Sequence, residues 1–244
     1  MGEQYDQLAA QYESYAKHST FKPVERFNFF SHLGELCGES ILDLACGFGY
    51  YTRLIKAHGA GKLIGIDISE GMIDLAREHE AKLPMGIDYQ VADCANLPDL
   101  GEFDAVTAIW LLNNAPDRAC LKGMIDSVYR QLKPGGRFVG ITFFPEFDIS
   151  KSNFGKYGVE ISGQKFIGEQ WEIEGFFHTA EGPTKPITVY QWSRDTQNEL
   201  FKAAGFSKVT WAPIEVPPLQ IEKYGAEYWE DFANNNGICL IAER

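Results

Sequence analysis

Between Ile41 and Phe144 short apolar runs alternate with stretches that are apolar on one helical face, and this alternation restricts the fold more than any other feature of the chain. Ile41 to Cys46 is an apolar run ending in a glycine turn. Tyr50, Tyr51, Leu54 and Ile55 then give a helix its inner face, closed by Gly59 and Gly61. Leu63 to Ile68 is the next run, and Ser69 is a natural N-cap for a helix with Met72, Ile73, Leu75 and Ala76 inward. Further strands are predicted near Ile87 to Val91, Phe103 to Ile109 and Arg137 to Phe144, with a helix over about Asp117 to Leu132. Continuous apolar runs suit strands buried on both faces, and strands alternating with helices bury them in a parallel sheet covered on both sides. The expected fold is α/β, a Rossmann-like doubly wound sheet.

The ends depart from this rhythm. Tyr5 to His18 and Val24 to Leu36 carry aromatic and apolar residues at helical spacing, so two helices are predicted ahead of the sheet. After Pro145 a stretch rich in Gly, Phe, Lys and Glu runs to about Pro186 and reads as an insertion capping the sheet. Alternation is expected to resume with a strand at Thr188 to Trp192, a helix from Arg194 to Ala204 stopped by Gly205, and strands at Lys208 to Ala212 and Gly237 to Ala242. No full crossover helix separates the last two, so they are expected to pair antiparallel, leaving one antiparallel strand near the C-terminus of a mostly parallel sheet. The chain thus divides into a helical lid (1–37), a core (38–144), a cap after the fifth strand (145–190) and the end of the core (191–244), all within one domain.

Charge narrows the partners. Lys and Arg number 22 against 34 Asp and Glu, a net charge of −12, which repels nucleic acid and anionic bilayers. At 244 residues the chain buries enough surface to need no staple. Five cysteines, without a C-x-x-C pair, read as reduced thiols of a cytoplasmic protein. The N-terminus lacks signal-peptide character, no apolar run has membrane-spanning length, and no His, Cys and carboxylate cluster has metal-ligand spacing. Monomer and homodimer both remain open.

Asp43-Leu44-Ala45-Cys46-Gly47-Phe48-Gly49 carries a strand into a glycine turn that opens a helix, where a ligand can approach the backbone closely. Asp67 ends the next strand, 20 residues beyond Gly47, near the spacing at which a carboxylate reaches ribose hydroxyls. Adenosine is implied. Position 52 is Thr52 where a dinucleotide fingerprint has its third glycine, which argues against a nucleotide-dependent oxidoreductase. Taken alone, the two glycines could equally make only a tight turn.

The whole series resembles the class I S-adenosylmethionine-dependent methyltransferases. Asp43 to Gly49 is similar to the first motif of that family, with Ala45 in place of a glycine. The resemblance implies that Asp67 binds both ribose hydroxyls, that Ile68 and Met72 pack on adenine, that Asp93 takes the adenine amino group and that the Cys94 backbone reads a ring nitrogen. Asp104 to Leu111, including Ile109 and Trp110, is similar to the fourth-strand motif, and Lys133-Pro134-Gly135-Gly136 to the turn before the fifth strand. The N-terminal Tyr5, Tyr12 and Tyr15 are similar to a lid that closes over cofactor and acceptor. Asn153 to Gly158 with Tyr157, Tyr190 to Arg194, Ala204 to Phe206 and Tyr228-Trp229 resemble a bacterial small-molecule group that includes N-methylating enzymes of the toxoflavin pathway.

The resemblance implies S-adenosylmethionine as cofactor and S-adenosylhomocysteine as product, with transfer to N or O of a small, heteroaromatic acceptor. Ala108 to Asn114 lacks the Asn/Asp-Pro-Pro-Tyr/Phe pattern of enzymes that methylate bases or glutamine amides. Trp110, Asn113 and Asn114 could offer a flat wall and amides to a polar ring, although Trp110 could equally be core. A sulfonium methyl needs alignment more than activation, so a base serves only to take a proton. The candidates are His178 first, then Asp148 and Glu181, with His18 at the lid. A rival reading is a non-catalytic nucleoside-binding module that acts through a protein partner.

Overall fold

The computed structural model describes residues 2–146, 148, 154–231 and 237–244. Three helices lead, α1 (Gly2–Asp6), α2 (Ala9–His18) and α3 (Lys22–Leu33), where the sequence predicted two. The added break follows α1, where the Leu8 N–H turns back to the Tyr5 carbonyl and the Leu8 side chain is buried with Ile173, Ile187 and Val189. The alternating region gives β1 (Ile41–Leu44), α4 (Tyr50–Ala57), β2 (Leu63–Asp67), α5 (Glu70–Lys82), β3 (Asp88–Val91), β4 (Phe103–Ile109), α6 (Arg118–Arg130) and β5 (Leu132–Phe143). The remainder forms β6 (Val159–Ile167), β7 (Gln170–Thr179), β8 (Gly182–Pro183), β9 (Ile187–Trp192), α7 (Arg194–Ala204), β10 (Lys208–Pro213), α8 (Pro218–Tyr224) and β11 (Gly237–Glu243).

Seven strands make the main sheet in the order β10-β11-β5-β4-β1-β2-β3. β1 runs parallel to β2 and β4, with Leu44 level with Ile66 and Ala108, so their carboxyl ends open at one height. β11 is antiparallel to both β5 and β10, giving the reversed strand near the C-terminus. Successive residues of β1 feed opposite cores. Ile41 packs with Phe29, Ile55 and Ile73, whereas Leu42 and Leu44 pack with Met124, Ile125 and Phe201. Burial on both sides is why β1 and β2 lack polar alternation.

Two sequence expectations change. Lys133 to Gly136 is not a turn ahead of β5 but lies inside it, in a stretch where the pairing slips register, and Lys133 Nζ donates to Asp104 Oδ1 at 2.7 Å. The strand at Thr188 to Trp192 is present as β9, yet it pairs antiparallel with β7 in a second sheet. Its alternately buried Ile187 and Val189 mark a strand with only one face inward, unlike the core strands. In that second sheet β7 is flanked by β6 and β9, and β8 pairs with its end. The Gly168-Glu169 connection between β6 and β7 has Gly168 at φ 67°, the geometry a two-residue hairpin requires. Asn153, one of the residues behind the toxoflavin-group resemblance, lies outside the described residues.

Candidate active site

At the carboxyl end of β1 the chain turns sharply into α4. Gly47 and Gly49 have φ of 55° and 76°, and Ala45 adopts 54°, a left-handed conformation that costs a residue with a Cβ about 1–2 kcal/mol. Thr52, in the first turn of α4, donates to Asp43 Oδ2, and Thr107 of β4 donates to Asp43 Oδ1, both at 2.7 Å. Burial pushes the Asp43 carboxyl up to about 6 against these two bonds. Asp43 therefore braces the turn to the sheet.

Asp67 ends β2 beside this turn. Its Oδ2 accepts from the Gly47 N–H and its Oδ1 from the Ser69 N–H, each at 2.9 Å. Burial raises its pKa, while those backbone donors pull the other way. A carboxylate has about four acceptor positions, so two remain for vicinal hydroxyls. Met72 Sδ is the nearest atom to where a Gly47 Cβ would stand, at 3.9 Å, so the backbone face there is open. Asp93 caps the short turn after β3 through the Ala95 N–H at 2.9 Å and also accepts from Asn96 Nδ2 at 3.0 Å. These groups fit an adenosine.

They open on a cavity of about 200 Å³ above the ends of β1, β2 and β4. Tyr5, Tyr12, Tyr15, Ala45, Gly47, Asp67, Ile68, Met72, Asp93, Cys94, Ile109, Trp110, Asn113, Asn114 and Tyr157, all singled out from sequence, line it. Asp43 instead lines a smaller adjoining cavity. Gly49 lines neither, because a Cβ there would lie 2.3 Å from Tyr89 Oη, so its role is the turn and close packing.

The bases expected from sequence are not brought to the cavity. His178 Nε2 pairs with Glu160 Oε2 at 2.9 Å and lines neither cavity, whereas its neighbours Phe176 and Phe177 in β7 both line the main one. Asp148 lines neither cavity. Glu181 accepts from Ser14 Oγ at 3.1 Å, and His18 contacts the Ser14 carbonyl at 2.8 Å, both at the surface.

Aromatic side chains form much of the remaining wall. Phe177 packs on Tyr12 and Tyr15 with centroids 5.1 and 4.6 Å apart, and Trp110 packs on Phe143 at 5.4 Å. Tyr157 stacks on Trp229 at 5.3 Å and donates its hydroxyl to the Tyr228 carbonyl at 2.6 Å. Burial raises the pKa of Tyr5, Tyr12 and Tyr15, so they stay neutral phenols. Trp110 is itself left-handed, with φ 64°. Its N–H donates to the Ile141 carbonyl at 2.8 Å, its carbonyl accepts from Asn114 Nδ2 at 2.6 Å, and its indole donates to Glu25 Oε1 at 2.5 Å. Tyr5 Oη donates to Asn114 Oδ1 at 3.0 Å, tying α1 to the end of β4. Asn113 is buried with its Oδ1 unpartnered.

Sequence reasoning missed the second-sheet wall, formed by Val159, Ile161, Ile173, Ile187 and Val189, and missed Lys22. The former showed a two-residue alternation along Val159-Glu160-Ile161. Lys22 gave no signal beyond its three-residue spacing from Glu25. Among the described residues no group of three or more His, Cys, Asp or Glu could hold a metal, and no helix is long and apolar enough to cross a membrane.

Residues 41–136 match the family described as a methyltransferase domain. Over 225 residues the chain is 32% identical to the demethylmenaquinone methyltransferase of Lactococcus lactis, covering 85% of this chain and 82% of that protein. The chain belongs to the class I S-adenosylmethionine-dependent methyltransferases. A ubiquinone biosynthesis O-methyltransferase of Pseudomonas paraeruginosa is 30% identical over 205 residues, covering 81% of this chain and 82% of its own length. The crystal structure of an S-adenosylmethionine-dependent methyltransferase from Mesorhizobium loti superposes with a TM-score of 0.66 at 25% identity, covering 93% of this methyltransferase and 99% of that chain. The methyltransferase thus takes S-adenosylmethionine as its cofactor, and its residues at the β1 turn and Asp67 suit that molecule's adenosine.

Proposed function

We propose that this methyltransferase moves the methyl of S-adenosylmethionine to nitrogen, or oxygen, of a small heteroaromatic metabolite. The observation that carries the reading is Asn113, a residue lining the largely aromatic cavity whose buried amide oxygen has no partner. An unpaired buried acceptor of this kind costs about 1–3 kcal/mol, which a ligand N–H or O–H would offset. Asp67 is assigned to the ribose hydroxyls, Ile68 and Met72 to the adenine, and Trp110 to a face of the acceptor ring.

The bound cofactor supplies an electrophilic sulfonium methyl. The chain supplies alignment and dryness. Trp110, held by three hydrogen bonds, fixes the plane of the acceptor, and Asn113 fixes its rotation within that plane. Tyr5, Tyr12 and Tyr15 of the lid pack with the second sheet, where Val159, Ile161 and Ile173 continue the apolar lining that excludes water. The tyrosines, kept neutral by burial, are no bases. An acceptor that is nucleophilic without prior deprotonation therefore suits the site.

A second reading, methylation of a quinol-type ring on oxygen or carbon, draws on the likeness to the demethylmenaquinone and ubiquinone-biosynthesis methyltransferases and on the apolar second-sheet wall. Incubation with methyl-labelled cofactor and, separately, heteroaromatic amines, azapteridine-like rings, phenols and 1,4-dihydroxynaphthalene tests both. Label confined to the dihydroxynaphthalene would replace the first reading with the second. Tight cofactor binding with no label on any acceptor would favour a non-catalytic module.

A further inference from the structure

α1 bridges three elements around the main cavity. Gln4 exchanges hydrogen bonds with Thr188 of β9, its Nε2 donating to the Thr188 carbonyl at 3.4 Å and its Oε1 accepting from the Thr188 N–H at 3.3 Å. Tyr5 Oη donates to Asn114 after β4. Asp6 reaches α5, where its Oδ1 accepts from Ser69 Oγ at 2.6 Å and from the Gly71 N–H at 3.1 Å.

The first N–H groups of a helix have no partner within it. In α5 the Ser69 side chain serves the Met72 N–H at 3.1 Å, and the Gly71 N–H is served from another helix by the Asp6 carboxylate, whose charge suits the positive end of α5. The two backbones also meet closely. A Cβ on Gly71 would stand 3.1 Å from the Asp6 carbonyl oxygen and 3.3 Å from the Asp6 Cα, and one on Gly2 would stand 3.2 Å from the Ile68 carbonyl oxygen. Gly71 lies within α5, so its missing Cβ serves the approach of α1 and not a turn.

Asp6, Ser69 and Gly71 line neither cavity, whereas Tyr5, Asp67, Ile68 and Met72 line the main one. The contact therefore borders the nucleoside site without entering it. Asp67 is held by the backbone N–H groups of Gly47 and Ser69, whereas Asp6 takes the Ser69 hydroxyl, so releasing Asp6 leaves both donors to Asp67 in place.

We propose that Asp6 and Gly71 form a latch that keeps α1 closed beside the adenosine site, and that its release sets how fast the nucleoside enters and leaves but not how tightly it is held. Asp6 is thus a positioning residue. The proposal rests on the assignment of adenosine to this cavity, which Asp67→Asn tests through Kd, whereas the latch is read from rates.

The test uses the full chain and needs no methyl acceptor. Association and dissociation rates of S-adenosylhomocysteine are measured by surface plasmon resonance, Kd by calorimetry and stability by urea unfolding, on wild type, Asp6→Ala, Asp6→Asn and Gly71→Ala. Asp6→Ala should speed association and dissociation together by about three- to ten-fold, with Kd within about two-fold of wild type. Asp6→Asn keeps an oxygen for both donors and should exchange at close to the wild-type rate. Gly71→Ala pushes on the α1 backbone yet places a better helix former in α5, so its exchange should quicken without loss of stability, which separates the latch from a weakened fold. Rates within about two-fold of wild type in Asp6→Ala or Gly71→Ala overturn the latch, as does an Asp6→Asn protein that exchanges as fast as Asp6→Ala. A weaker Kd carried by dissociation alone also overturns it, since Asp6 would then act on the ribose carboxylate and not on the closure of α1.

Discussion

Replacing Asp67 by Asn separates the role of its charge from its shape. Asp67 is 8% exposed and receives backbone N–H groups on both oxygens, from Gly47 and Ser69 at 2.9 Å each. An amide keeps only one oxygen, so its NH2 must face one of those backbone donors and leaves it unsatisfied, at about 1–3 kcal/mol of stability. Part of this is returned, because burial raises the Asp67 pKa and so penalises the charge that the amide lacks. Folding should therefore suffer modestly. Binding should suffer more. Each ribose hydroxyl that loses a charged acceptor forfeits about 1.5–3 kcal/mol, or about ten- to a hundred-fold in Kd for one bond lost. Asp67→Ala should lose both bonds. Calorimetric titration with S-adenosylhomocysteine gives the binding term, and urea unfolding of the free protein gives the stability term. An Asp67→Asn protein that binds within about two-fold of wild type would refute the placement of the ribose.

The other predictions concern the turn and the base expected from sequence. Asp43, pushed up to about 6 by burial, holds its proton more tightly folded than unfolded, so its charge costs stability above about pH 6 and the cost is shed as pH falls toward about 4. Measured against Asp43→Asn, wild type should gain up to about 3 kcal/mol over that interval, and a difference that ignores pH would be inconsistent with this origin. Gly49→Ala forces a Cβ to 2.3 Å from Tyr89 Oη at φ 76°, and should lower unfolding stability by more than about 2 kcal/mol. Ala45→Gly relieves left-handed strain of about 1–2 kcal/mol while freeing the unfolded chain by about 0.4–1, so its melting temperature should hold or rise; a clear drop would mean that the Ala45 methyl packs usefully. His178→Ala, outside the cavity, should leave single-turnover methyl transfer unchanged on any acceptor the screen yields, and a loss of ten-fold or more would return it to the list of bases.

The legible parts of this chain were those whose partners lie nearby in sequence or repeat a general geometry. β1 and β2 announce themselves as largely apolar runs without polar alternation because they are buried on both faces, and the glycine turn with Asp67 beyond it follows from how a parallel strand delivers its end to a ligand. The second sheet was hidden by its own chemistry. β6 half-buries alternate positions only from Val159 to Gly163 and slips register between Ile161 and Gly163, so its alternation is too short to set a period. His178 lies outside the cavity on β7, another strand not read from sequence, so nothing in its surroundings distinguished that position from one facing the cavity.

Lys22 and Glu25 mark a different limit. A Lys and a Glu three apart on a helix ordinarily make a solvated pair worth a few tenths of a kcal/mol, and nothing local distinguishes these two from such a pair. Their meaning comes from Trp110, 85 residues on, whose indole reaches Glu25 Oε1. That contact depends on Trp110 holding φ 64°, which its N–H to Ile141 and its carbonyl to Asn114 enforce from β5 and from the turn after β4. Asn114 is held in turn by Tyr5 of α1. The donors run from Tyr5 to Asn114, from Asn114 to Trp110 and from Trp110 to Glu25, whose other oxygen is ion-paired with Lys22. The Glu25 carboxylate thus ties α3 to the end of β4, to which Tyr5 ties α1 through Asn114. Removing it should disturb the lid and the cavity wall together, whereas Tyr5→Phe should loosen α1 alone and leave the Trp110 indole in place.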